Sequence, residues 1–111
     1  MIAVLSPAKT LNLESAPPFP ATPARFAGEA ETLARAAANL TQKRLGELMH
    51  ISPALAKLNA DRFRDFPDAA ARPALYTFAG DVYTGLDAAT LEEAQVAFAQ
   101  DHLRLLSGLY G

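Results

Sequence analysis

Eight prolines cut this 111-residue chain into short lengths that can be regular and lengths that cannot. A proline fixes φ, carries no N–H and turns the residue before it away from helix. Pro7 closes the apolar run Ile2–Leu5, whose β-branched Ile2 and Val4 read as a short buried strand that ends where the ladder loses a donor. Pro17, Pro18, Pro20 and Pro23 exclude helix and sheet from Glu14 to Ala24 and leave an extended loop, which Phe19 is expected to pin to the core. Thr22-Pro23 and Ser52-Pro53 each pair a capping hydroxyl with a first-turn proline, so each predicts a helix start. Pro67 and Pro73 bracket one further loop.

Helices fill the spaces between. From about Ala24 to Asn39, Phe26, Ala30, Leu33, Ala37 and Leu40 recur on one face. Thr41 caps a second, short helix with Leu45, Leu48 and Met49 as its apolar stripe, and a third runs from Pro53 to about Asp65 with Leu55, Leu58 and Phe63 inward. Joined so tightly, the second and third form a helical hairpin. Leu75–Phe78 has strand composition and opens into a polar loop, Ala79–Leu86, with glycines at 80 and 85. Thr90 and Glu93 predict a capping box and a helix to about Leu106, with Leu91, Ala94, Phe98 and Leu105 on its buried side. The fold class is α+β: a short N-terminal strand, a second strand near 75–78, and four helices including a helix-hairpin-helix-like pair.

Function classes narrow by exclusion. No apolar run approaches the roughly 18 residues of a membrane span, and the start lacks a basic n-region, so a cytoplasmic protein without membrane contact is expected. Without cysteine the chain has no disulfide and no thiolate metal site. His50 and His102 are its two histidines, and its acidic residues show no metal-binding spacing, so neither a metal nor another cofactor is expected. A formal charge of −2 opposes a chain-wide basic nucleic-acid surface and leaves room for a local one.

Two places carry chemistry. Ser6, Lys9 and Thr10 leave the first strand together, where open sheets place ligands and where an ammonium can meet a phosphate. Ser6-Pro7-Ala8-Lys9 also fits a serine-x-x-lysine pattern, yet Leu11 follows Lys9-Thr10 where the acyl-transfer enzymes need glycine, so no catalytic residue is assigned. Asp81, Tyr83 and Thr84 supply polar atoms at the second strand end and would line one cleft with Ser6–Thr10 if the two strands were parallel neighbours. The second place is the hairpin, around which Lys43, Arg44, Lys57, Arg62 and Arg64 gather, half of the basic residues. Such hairpins bind DNA backbone through amides aimed at a phosphate. The turn Ile51-Ser52-Pro53-Ala54 has no glycine, and on the residues alone packing is the plainer reading.

Taken together the segments resemble a known family. Ser6-Pro7-Ala8-Lys9-Thr10-Leu11, Leu48-Met49-His50-Ile51-Ser52, Gly80-Asp81-Val82-Tyr83-Thr84-Gly85-Leu86 and Leu106-Ser107-Gly108-Leu109-Tyr110-Gly111 are similar, in order, to the YaaA peroxide stress protein family. The resemblance implies a bacterial oxidative-stress protein associated with keeping free intracellular iron low, and a mixed α/β fold with a helix-hairpin-helix and a positive cleft that binds double-stranded DNA. It implies backbone contacts from Lys9, Thr10, Ser52, Lys57, Arg62 and Arg104, with Ser6, Asp81 and Tyr83 lining the cleft, and no enzymatic step. It further implies that 1–111 is the N-terminal portion of a single larger domain, truncated at 111. Apolar surface near Leu103, Leu106 and Tyr110 would then await the remainder. The alternative reading is an enzyme or small-anion or nucleotide binder built on Ser6–Lys9 and Gly80–Leu86. Oligomeric state is not legible.

Overall fold

Helix packing through alanine organises one part of the molecule, and short strand pairs organise the other. The computed structural model describes all residues, 1–111, in two units: Ala24–Ala70 with Leu109–Gly111, and Met1–Pro23 with Ala71–Gly108.

The first unit holds helices α1 (Ala27–Ala38), α2 (Gln42–Met49) and α3 (Pro53–Asp65), followed by a single 3₁₀ turn at Phe66–Asp68. The Thr41 hydroxyl accepts from the Arg44 amide and the Ser52 hydroxyl from the Leu55 amide, so both of these caps form as the sequence predicts. α1 differs: it starts at Ala27 behind Phe26, without a side-chain cap and without Thr22. The proline run keeps the chain extended through Pro23, and helix begins once alanine-rich sequence is clear of it.

The buried residues are Ala30, Ala34, Leu45 and Ala56. Small side chains let the axes come close, and a Cβ built on Gly46 of α2 would sit 3.2 Å from that of Ala56 on α3. The larger residues expected inward, Phe26, Leu33, Leu40, Leu48, Met49, Leu55 and Leu58, are exposed, Leu48 to 68%. Once the helices meet along alanine and glycine, only a narrow strip of each is covered. The link between α2 and α3 closes through His50, which adopts left-handed backbone (φ 53°), while the Ile51 amide donates to the Gly46 carbonyl.

In the second unit, β1 (Ala3–Leu5) pairs in parallel with β4 (Leu103–Leu105), and β2 (Thr10–Leu11) pairs antiparallel with β3 (Phe78–Ala79). Helices α4 (Ala74–Thr77), α5 (Asp81–Leu86) and α6 (Glu93–His102) complete it, with a 3₁₀ turn at Ala88–Thr90. The α+β class holds, with several local corrections. The helix expected to reach Leu106 stops at His102, because Leu103–Leu105 supplies the parallel partner that β1 needs; tertiary pairing overrides helix propensity there. Leu75–Thr77 is a helical turn bonded back to Pro73, and the strand moves to Phe78–Ala79. Glu92 and Gln95, rather than Thr90 and Glu93, form the capping box of α6. The expected loop at 81–86 is α5. Ile2 and Val4 are exposed, not buried, because a two-stranded ladder covers neither of its own faces, and Phe98 is exposed on α6, stacked on His102.

Candidate anion and nucleic-acid interface

Thr10 lies opposite Ala79 and Leu11 opposite Phe78 in the β2–β3 ladder, and the Asn12 amide extends it by donating to the Thr77 carbonyl at 2.7 Å. This pairing carries the Ser6–Thr10 segment to the Gly80–Leu86 segment. The juxtaposition expected from parallel neighbours is thus realised by an antiparallel pair. Gly80 makes the turn into α5 with φ 133° and ψ −179°, a region closed to residues with a Cβ. Tyr83, on the first turn of α5, is buried, stacks obliquely on Phe78 at 5.5 Å, and donates its hydroxyl to the Ser6 carbonyl at 2.5 Å. Burial pushes its phenol above the ordinary 10.0, so it remains a donor at physiological pH. Lys9 is exposed and belongs to none of the four ion pairs. Asp81, the first residue of α5, is also exposed.

Arg104 is placed on β4 opposite Val4, and its guanidinium donates to the Gln100 and Leu103 carbonyls at 2.9 and 2.8 Å. Its donors are therefore partly committed to backbone. Arg72, which the sequence reading passed over, clamps a tight turn from a distance: one terminal nitrogen donates to the carbonyls of Asn12 and Ser15.

On the hairpin, Ser52 Oγ is occupied in capping α3. Lys57 pairs with Asp61 at 2.9 Å and Arg64 with the same carboxylate at 3.1 Å, while Arg62 joins no ion pair. Lys57 and Arg62 stand five residues apart, about 140° around a helix, so they present to different flanks. On α2, Arg44 pairs with Glu47, which leaves Lys43 unpaired. A shallow groove between the helices is lined by Gln42, Lys43, Glu47, His50 and Pro53, among others, and Gln42 reaches across to donate to the Pro53 carbonyl. No group of three or more His, Cys, Asp or Glu side chains converges as metal ligands would, and no helix is long and apolar enough to cross a membrane.

Comparison with known proteins sets this geometry in a family. The model of the family described as "Peroxide stress protein YaaA" matches residues 1–111. The chain belongs to the YaaA peroxide stress protein family. It is 56% identical over 112 residues to a UPF0246 protein of Rhizorhabdus wittichii, covering 100% of this chain and 44% of that relative. Against UPF0246 proteins of Dinoroseobacter shibae and Idiomarina loihiensis the identities are 50% and 51%, again over 100% of this chain, and over 43% and 45% of the relatives. The chain thus spans less than half the length of the curated relatives it matches.

Of the YaaA-family segments singled out from sequence, the structure joins Ser6–Thr10 with Gly80–Leu86 in one unit and carries Ser52, Lys57 and Arg62 on α3 in the other. Two features were available and unread. Asp61 stands four residues after Lys57 and three before Arg64, a spacing that makes partners on any helix. Gly46 within a short helical pattern marks a close backbone approach.

Proposed function

We propose that this chain forms part of a peroxide-stress protein that contacts the backbone of double-stranded DNA in the cytoplasm, with its helical hairpin as the principal surface. The observation that carries this reading is the uneven placement of charge. Seven of the ten Lys and Arg residues (Arg25, Arg35, Lys43, Arg44, Lys57, Arg62 and Arg64) lie in Ala24–Ala70, against six acidic residues there. The other unit holds Lys9, Arg72 and Arg104 against six acidic residues. A positive balance on the helical unit of an acidic chain favours phosphate contact there, without base readout. Shielding DNA serves the same end as holding free iron low, since both blunt peroxide-driven radical attack.

The test is fluorescence anisotropy with a labelled duplex at several salt concentrations, on this chain and on the full-length Rhizorhabdus wittichii relative. Affinity should fall steeply with salt on both proteins, and Arg62→Glu should weaken binding by this chain several-fold. Binding by Arg62→Glu equal to wild type, or affinity indifferent to salt, would reject the hairpin as the surface.

A second reading is favoured by one observation, the joining of Ser6–Thr10 to Gly80–Leu86. In it the unpaired Lys9 ammonium receives a small phosphate-bearing molecule. Thermal stabilisation by phosphate or a nucleotide, lost in Lys9→Ala and unaccompanied by duplex binding, would support this reading over the first.

A further inference from the structure

We propose that Tyr83 is a positioning residue: through the Ser6 carbonyl it holds the Ser6–Thr10 segment in the one arrangement that offers Lys9 to a phosphate group. The inference rests on the reading of Lys9 as an anion contact and deepens it.

The Leu5 carbonyl, the last in the ladder, accepts from the Leu106 amide. The next carbonyl, that of Ser6, lies past the end of β1 and outside its two-stranded ladder. Tyr83 supplies the missing donor from 77 residues away, with a hydroxyl 2.5 Å from that oxygen. Beyond it, the ring of Pro7 fixes that residue's φ, and Thr10 is locked opposite Ala79. Residues 6, 7 and 10 are thereby each restrained by something specific. Lys9 is exposed and outside every ion pair. A fixed backbone beneath a free ammonium lowers the ordering cost of meeting an anion.

Tyr83 suits this task for two reasons. Its ring is 8% exposed and packed on Phe78, so the hydroxyl has little freedom to turn elsewhere. Only Gly80 separates its helix from Ala79, which is paired with Thr10, so the first turn of α5 follows directly on the ladder that holds the segment. Tyr83→Phe keeps the ring and removes only the donor, which separates positioning from packing.

The experiment has two arms on the 111-residue chain. In the first, amide hydrogen exchange is followed without ligand in wild type and Tyr83→Phe. Exchange at the bonded amides that flank the segment, Leu106 (to the Leu5 carbonyl) and Asn12 (to the Thr77 carbonyl), should rise roughly fivefold to tenfold in the variant, the yield of one hydrogen bond, relative to Leu45 in the helical unit. Unchanged exchange at both Leu106 and Asn12, or a rise matched at Leu45, overturns the positioning role whatever the ligand does. The second arm is a double-mutant cycle with Lys9→Ala, read separately against a labelled duplex and against inorganic phosphate. Tyr83→Phe should weaken binding several-fold in the wild-type background and by nothing further in Lys9→Ala. Equal losses in both backgrounds overturn it, since Tyr83 would then act through general stability. If wild type binds neither probe, the anion reading of Lys9 fails, and the exchange arm still decides whether Tyr83 holds the segment. The probe that shows the coupling distinguishes DNA backbone from a small phosphate.

Discussion

At the scale of single residues, Asp61 is the side chain that most restrains the proposed surface. Its hydrogen bond from Lys57, and then the charges of Lys57 and Arg64, hold its carboxyl below the ordinary value of 3.8. A depressed native pKa contributes stability that is present above the unfolded carboxylate range and lost as pH falls through the folded value. Wild type should therefore lose more stability between pH 6 and pH 3 than Asp61→Asn, read from urea midpoints at the two pH values. The same substitution releases two cations from one carboxylate. Asp61→Asn should bind duplex DNA a few-fold more tightly than wild type at low salt and show a steeper salt slope. Weaker binding by the variant would mean that the ion pairs shape the contact surface rather than mask it. Residue-scale restraints of this kind were partly legible. Thr41 and Ser52 cap where hydroxyl and proline spacing say they should, since a cap depends on a few neighbouring residues. The Tyr83–Ser6 bond depends on which strands pair, and no local spacing encodes that.

Among the elements, α2 and α3 are held by closeness more than by bulk. Gly46 faces Ala56 with no room to spare, and apart from Leu45 the leucines of both helices stay outside. Gly46→Val should force the axes apart and destabilise the chain by about 1–3 kcal/mol, measured by urea unfolding. A neutral result would show that the helices pack with slack. This is also where reading periodicity went astray. Ala30 and Leu45 are buried as their stripes predict, but Leu48, Met49, Leu55 and Leu58, on the right helical repeats, are not: a stripe shows only that a helix has an apolar side, and alanine at 34 and 56 took the contact instead. Small residues are weak signals in a pattern because they are common on either side of a helix. The strands fared similarly. Ile2–Leu5 announced itself by composition, whereas Leu103–Leu105 reads as helix until its partner is known.

For the whole molecule, the exposed aliphatic surface sets solution behaviour. Ile2, Val4, Phe98 and Leu106 are open on the strand-bearing unit, and β1 and β4 have one paired edge each. Unpaired edges with apolar faces associate unless charge intervenes. The isolated chain should self-associate with rising concentration in sedimentation velocity, and Val4→Lys should reduce it. A monomer across the accessible range with cooperative urea unfolding would contradict this. Val4 and Arg104 are register partners a hundred positions apart, whereas α1, α2 and α3 meet within 24–70. Contacts between near neighbours in sequence form early, and those that close long loops come late. During synthesis the first strand therefore waits, unpaired and apolar, until Leu103–Leu105 has been made, and in that interval it is open to capture by a chaperone.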